Sequence, residues 1–407
     1  MATIAVLGTL DSKGTEHGFV ADLIRQRGHA PLLIDVGTLG PTQIPADISR
    51  DEVATAGGID LPPTLSRQDR GECVAAMADA AAALLLKLSD QGRIQGVISL
   101  GGSGGTAIGT ATMRALPIGF PKVMVSTMAS GNIAHYVGTK DIVMIPSVVD
   151  VSGLNRVSRI IFSRAVGAIC GMVETEIASS SADRPLIVAS MFGNTTDCIN
   201  AAIPVLEEAG YEVLVFHATG AGGKAMEALI ESGMVAGVLD ITTTEWADEL
   251  VGGVLSAGPQ RLEAAGKAGV PAIVVPGCLD MVNFGGPETI PDKFAQRNFY
   301  IHNPQVTLMR TSPQECRELG RLLAGKINQY SAPVSVLIPQ KAISVISAAG
   351  GPFHDAEADE ALFSTLADSL RDGIEVRWED REINDPSFAK LCARTLMENI
   401  RVDADSK

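Results

Sequence analysis

The segment Gly101–Thr106 reads Gly-Gly-Ser-Gly-Gly-Thr and directly follows the apolar run Val97–Leu100. Glycines leave consecutive backbone N–H groups free to turn toward one point, and a helix starting there adds its positive end. This spacing therefore suits a phosphate or carboxylate, with Gly101, Gly102, Ser103, Gly104, Gly105 and Thr106 as the binding residues. The plainer reading is a tight strand-to-helix turn, for which glycine is also favoured. So many small residues in succession exceed what a turn alone requires, so anion binding is the expectation.

A second loop, Gly8–Gly14, has neither the dinucleotide fingerprint nor the phosphate-loop pattern GxxxxGK[ST]. It does carry Lys13 for a phosphate, Thr9 as a hydroxyl donor and Asp11 as a carboxylate for Mg2+. Asp35, followed by Gly37 and Thr38, ends the next apolar run, where an acid often accepts bonds from ribose hydroxyls. Lys13 reads equally well as a solvated side chain at a helix start. A third wall of the same crevice is expected from Thr127, Met128, Ala129, Ser130, Gly131 and Asn132.

Different groups occupy the second half, in Phe192–Thr196, His217–Gly223, Asp240–Glu245, Pro276–Phe284 and the pair His302–Asn303. If the strand ends converge, His217, Glu245, Asp280 and His302 share one crevice. There an imidazole and a carboxylate could exchange a proton while glycine N–H groups hold an oxyanion. Two His and a carboxylate could also hold a divalent metal, but the loops show no diagnostic spacing, so metal binding stays open. Each residue alone has a structural alternative, as a helix cap or a hydrogen-bonded His. His17, His29, His135 and His354 carry less weight.

These loops need elements to position them. Ile4–Thr38 recurs without a gap as Leu186–Gly220, each copy reading strand, polar loop, helix, glycine stop, strand. Gly28 meets Gly210, and Asp35 meets His217. Further strands are expected near Gly96–Leu100, Lys122–Ser126 and Ile142–Ile145, then near Gly237–Asp240, Ala272–Val275 and Val306–Met309, with VSVLIP and IEVRW extending the second sheet. Helices are expected over Cys73–Leu88, over Ser152–Ile177, and from Ser312 to Gln329 with Ser312 as cap and Pro313 in its first turn. The expected fold is α/β: two Rossmann-like domains, each an open, mostly parallel sheet flanked by helices. Residues 1–182 form the nucleotide-binding domain and 183–407 carry the candidate active site, with a boundary near Asp183. Gly40–Arg70 lacks a period and reads as an elaborated loop or a partner arm.

Bulk composition agrees with this. A chain of 407 residues with 46% hydrophobic but only 4% aromatic content suits buried parallel strands under helices rather than an aromatic-cored sandwich. A formal charge of −15 without a basic cluster opposes nucleic acid as a partner. No apolar run approaches the ~20 residues of a membrane span, and no signal-peptide pattern opens the sequence, so neither a membrane partner nor export is expected and the location is cytoplasmic. Six scattered cysteines without a CxxC pair read as buried thiols, Cys278 being the one placed in a loop beyond a strand.

GTLDSKG, LGGSGGT, STMASGN, FGNTT, HATGAGG, DITTTEWADELVGG, PGCLDMVNF, the pair His302–Asn303 and VSVLIPQKAISVISAAGGPFHDAEAD together resemble the family of the tomato mosaic virus resistance protein, the Tm-one-like ATP-binding family. The resemblance covers nearly the whole chain and implies two Rossmann-like domains, ATP bound at the first, and a homodimer. By position the nucleotide would lie on Gly8–Lys13, Gly101–Thr106 and Thr127–Asn132. The leading expectation is an ATP-binding protein acting on a small polar metabolite, with Mg2+ as a further ligand. The alternatives are a hydrolase or lyase working from the second domain, and a non-enzymatic nucleotide-dependent sensor or scaffold.

Overall fold

The computed structural model describes residues 1–61, 63, 69–176 and 184–406. It divides into two compact units, Met1–Ser179 and Ser180–Lys407. The boundary expected near Asp183 falls outside the described residues.

In the first unit the strands β1 (Thr3–Gly8), β2 (Ala30–Asp35), β3 (Gly96–Gly101), β4 (Lys122–Ser126) and β5 (Val143–Pro146) form one sheet in the order β2-β1-β3-β4-β5. Every pairing in it is parallel. Parallel strands need crossovers, and these are supplied by α1 (Leu10–Gln26), α2 (Arg50–Ala56), α3 (Arg70–Asp90), α4 (Ser103–Ala115), α5 (Ala134–Val137) and α6 (Arg156–Glu174). Successive strand side chains point to opposite faces, and here both faces are apolar. Ala5, Leu7 and Val97 pack with Met77 and Leu85 of α3, while Ile4, Val6 and Ile98 pack with Val20 of α1 and Phe162 of α6.

Part of Gly40–Arg70, expected as an elaborated loop or a partner arm, belongs to this core. Ile48 pairs with Ile34 of β2, and Val53 and Ala54 of α2 are buried against α3. Arg50 donates to the carbonyls of Gly37 and Gly40, tying the segment to the end of β2. Residues 62 and 64–68 of the same segment are outside the described residues.

The second unit repeats this order. Its strands β6 (Leu186–Met191), β7 (Glu212–His217), β8 (Val235–Thr242), β9 (Ala272–Gly277), β13 (Val334–Pro339) and β14 (Glu375–Glu379) form a parallel sheet ordered β14-β13-β9-β8-β6-β7. Read from β7, that is the first unit's order with β14 added at the far edge. Its helices are α7 (Thr196–Glu208), α8 (Ala221–Glu231), α9 (Glu245–Val251), α10 (Ala264–Ala268), α11 (Pro313–Ile327), α12 (Ala356–Ser369) and α13 (Pro386–Ser406). Ser312 caps α11 in a reciprocal capping box with Glu315, and Pro313 occupies its first turn.

One strand expectation is corrected. Val306–Met309 does not join the large sheet but lies in β12 (Val306–Arg310), the centre of an antiparallel sheet with β10 (Met281–Phe284) and β11 (Phe299–Asn303). The insertion between β9 and α11 is long enough to fold back as its own ladder, so β13 takes the place beside β9. The fold is α/β, with two Rossmann-like units of parallel sheet flanked by helices. Among the described residues no helix is long and apolar enough to cross a membrane.

Candidate functional site

The carboxyl ends of β1, β2 and β3 surround a cavity of about 200 Å3 in the first unit. From the β1 loop come Thr9, Asp11, Ser12 and Lys13, from the β2 loop Thr38 and Leu39, and from the end of β3 onward Gly101, Gly102, Ser103, Gly104 and Gly105. Arg70 and Val74 of α3 and Ile108 of α4 complete the wall. The α4 N-terminus has no side-chain cap, and the first turn of a helix leaves its N–H groups without intrahelical acceptors. Neither Lys13 nor Arg70 forms an ion pair among the described residues.

Two features show that this loop is not simply tightly packed. A Cβ on Gly104 would first meet Arg70 Nη2 at 3.6 Å, and one on Gly102 would meet Thr127 Oγ1 at 3.9 Å, both ordinary contacts. Only Gly101, whose Cβ would approach Gly105 Cα at 2.8 Å, is demanded by close backbone approach. Asp11 supplies the acidic group: its Oδ2 accepts from the N–H of Leu39 at 2.7 Å and of Gly40 at 3.3 Å, while its buried Oδ1 has no partner. A cation or a ligand hydroxyl would satisfy that oxygen.

Several expected nucleotide residues serve the scaffold rather than the cavity wall. Asp35 is sealed from solvent, and its Oδ1 accepts from Leu10 N–H at 3.0 Å and Gly37 N–H at 2.9 Å, locking the β1 and β2 loops together. Burial raises its pKa, partly offset by those N–H groups. Gly37 is glycine because a Cβ there would lie 2.6 Å from the Asp11 carboxyl carbon. Gly8 is glycine because its Cβ would land on the His17 imidazole, which is buried, bonds the Lys13 carbonyl through Nδ1 at 2.7 Å, and has its pKa lowered by that burial. Thr106 joins Ser126 at 2.6 Å inside the unit and so faces away from the cavity.

Thr127 and Ser130 border a neighbouring cavity of about 340 Å3 with Ser147, Val148 and Asp150, whereas Met128, Ala129, Gly131 and Asn132 line neither. Asn132 instead caps Ala134 N–H at 3.0 Å. Val148, a β-branched residue with φ 64°, marks backbone strain at this rim. The lining residues that sequence reading missed are Leu39, Arg70, Val74 and Ile108, while Ser12 falls within the expected segment Gly8–Lys13. Arg70 stands at the start of a helix after a segment without periodicity, so no local pattern draws attention to it.

The second unit does not bring its four expected residues into one crevice. His217 and His302 border a cavity of about 610 Å3 at the ends of β6 and β7 and beside the β11–β12 hairpin. Glu245 does not line it. Its Oε1 accepts from Gly220 N–H at 2.7 Å and Gly223 N–H at 3.1 Å, and its Oε2 from Arg261 Nε at 2.7 Å. Arg261 also takes Asp240 in a two-pronged pair at 2.6 and 2.7 Å and Glu227 at 3.0 Å, all with the guanidinium 1% exposed. Burial alone would lower the Arg261 pKa, but Asp240, Glu245 and Glu227 hold it well above the ordinary value.

Asp280 is likewise enclosed. Its Oδ2 accepts from Ser344 Oγ at 2.7 Å, and burial lifts its pKa to about 6 despite Arg310 nearby. Ser344 and Ser347 exchange hydrogen bonds, so Asp280 braces the loop that carries Val345 and Ile346 into the cavity wall. All six cysteines are buried, and burial pushes the Cys278 thiol pKa well above its usual value. Among the described residues no group of three or more His, Cys, Asp or Glu is arranged to hold a metal.

Comparison with known proteins agrees with the two-unit division. Residues 2–178 match the N-terminal domain and residues 184–400 the C-terminal domain of the uncharacterised protein family UPF0261. A UPF0261 protein of Clostridium tetani is 49% identical, over 97% of this chain and 98% of that protein. Another from Rhizobium meliloti is 46% identical, over 96% of this chain and 97% of that one. The ToMV resistance protein Tm-1(GCR237) of Solanum lycopersicum is 38% identical over 96% of this chain, which spans 55% of the tomato protein. With both family domains in series and relatives aligned nearly end to end, the chain belongs to the UPF0261 family.

Proposed function

We propose that the first unit binds a phosphate-bearing nucleotide, ATP with Mg2+, at the cavity beneath the α4 N-terminus. One observation carries this reading: Lys13 and Arg70, neither of them in an ion pair among the described residues, stand around uncapped helical N–H groups whose glycines have room in front of them. Positive groups gathered without an internal counter-anion favour an anionic ligand. Asp11, with one oxygen unpartnered, would take the metal or a ligand hydroxyl. The small volume suits the phosphate chain, and the nucleoside would extend along the strand ends toward Thr127 and Ser130. Dimerisation belongs to the same reading and is measured by light scattering with and without nucleotide.

Calorimetric titration of the full chain with ATP, with and without Mg2+, tests the site. Saturable binding that weakens at least about tenfold in both Lys13→Ala and Gly104→Val is the expected result, since each removes a charge-assisted contact or fills the cradle. Binding that persists unchanged in both variants would defeat the assignment.

A further inference from the structure

We propose that the second unit holds a separate site for a small monocarboxylate with an apolar body, in the cavity between the ends of β6 and β7 and the β11–β12 hairpin. This inference stands independently of the nucleotide reading. Its volume of about 610 Å3 is that of a small-molecule pocket and exceeds the first unit's 200 Å3. Leu255, Val306, Leu308 and Ile346 give it an aliphatic wall, and Phe192 and Tyr300 contribute rings. Such walls reward burial of hydrocarbon.

The polar groups that converge on it share one property. Asn194, His217, Thr219, His302 and Asn303 can all donate a hydrogen bond, and among the described residues no Asp or Glu lines the cavity. An acceptor-rich group on the ligand matches that set. Among the described residues neither Lys nor Arg lines it, so a phosphate dianion would lose its hydration without a fixed counter-cation, whereas one carboxylate needs only hydrogen-bond donors. The Thr219 hydroxyl donates to the His217 carbonyl at 3.2 Å, but Asn194 and the two imidazoles are poorly employed within the protein. Asn194 Nδ2 meets only a thioether, Met281 Sδ, at 3.8 Å, and neither imidazole hydrogen-bonds another described residue. Each ring is nonetheless oriented, His217 against Phe192 at 5.4 Å and His302 against Tyr300 at 6.5 Å between centroids.

The loop behind the wall is braced as a binding surface requires. Ser344, held by Asp280, and Ser347 fix the turn from which Val345 and Ile346 project, so that wall is set before any ligand arrives.

Phenylacetate is the probe, with 2-phenylethanol as the neutral analogue of similar shape and phenyl phosphate as the dianionic one. Ligand-observed saturation-transfer NMR and calorimetry on the full chain should give saturable phenylacetate binding at least about tenfold tighter than either analogue. Leu255→Trp, which fills the cavity, and His302→Ala, on an exposed hairpin, should each weaken it by a similar factor, whereas Lys13→Ala should leave it unchanged. The His302 variant keeps the test decisive if Leu255→Trp melts early. Four outcomes overturn the proposal: no saturable phenylacetate binding, preference for phenyl phosphate or for the alcohol, binding that survives both second-unit changes, or binding abolished by Lys13→Ala.

Discussion

The two units repeat one strand order, yet the matching strand ends are finished in opposite ways. At the end of β3 in the first unit, glycines open onto a cavity bordered by two cations that have no ion pair among the described residues. At the end of β8 in the second, Glu245 turns inward, caps the α8 loop through Gly220 and Gly223, and meets Arg261. A carboxylate carried on the end of β8 thus fills the N-terminus of α8, the helix after the neighbouring β7, whereas the N-terminus of α4, the helix after β3, meets no carboxylate among the described residues. The second unit's cavity is displaced toward its antiparallel hairpin, where donors without fixed charge replace lysine and arginine. An internal ion pair at the end of β8, and two cations without an ion pair among the described residues near the end of β3, are alternative ways to finish matching strand ends.

If that contrast is correct, substitution of Arg261 should have the largest effect. Arg261→Met leaves Asp240, Glu245 and Glu227 without their cation and is expected to cost about 3–5 kcal/mol. Both tryptophans, Trp246 and Trp378, lie in the second unit, so urea unfolding followed by their fluorescence reads that unit alone. A loss below about 1 kcal/mol would mean that the cluster is not a charge-balanced anchor.

The same glycine change should then separate the two loops. Gly223→Ala places a Cβ on the Glu245 carboxylate and should destabilise by about 1–3 kcal/mol, whereas Gly104→Ala meets Arg70 and Val74 only at ordinary contact distance and should change stability by less than about 0.5 kcal/mol. Equal losses would erase the distinction between a packed and an open loop.

A third test uses protons. Burial raises Asp248 to about 7 and Asp280 to about 6, against hydrogen bonds and, for Asp280, Arg310 that pull the other way. A carboxylate whose pKa is raised on folding contributes stability that is full below its unfolded value and lost as pH rises through the folded value. The stabilisation of Asp248→Asn relative to the parent should therefore grow between about pH 4 and pH 7, by at most about 1.4 kcal/mol per unit, and level off above that. A difference in melting temperature that is flat across that range would sink the assignment.

Smallest of all, Lys13→Met should alter stability by less than about 0.5 kcal/mol, because the side chain has no carboxylate to lose. A large loss would show that Lys13 is structural, the plainer reading of a helix-start lysine.

Much of the architecture was legible from local pattern. The recurrence of Ile4–Thr38 announced the shared strand order, and Ser312, Pro313 and Glu315 announced the start of α11. The site was legible only in part. Lys13, Asp11 and Gly101–Gly105 border the first cavity as their spacing suggested, but Asp35 and Thr106 turned out to be internal ties. Nothing adjacent to Arg70 or Arg261 in sequence distinguishes them from solvated arginines.

The glycine runs Gly101–Gly105 and Gly220–Gly223 make the limit plain. Sequence by itself determined that each follows a strand and opens a helix, because helix starts and strand periods depend on residues a few positions apart. Only the tertiary structure decided what stands in front of them: Arg70 and open space before one, the Glu245 carboxylate before the other. That choice rests on side chains arriving from distant segments, and no local spacing encodes where they meet.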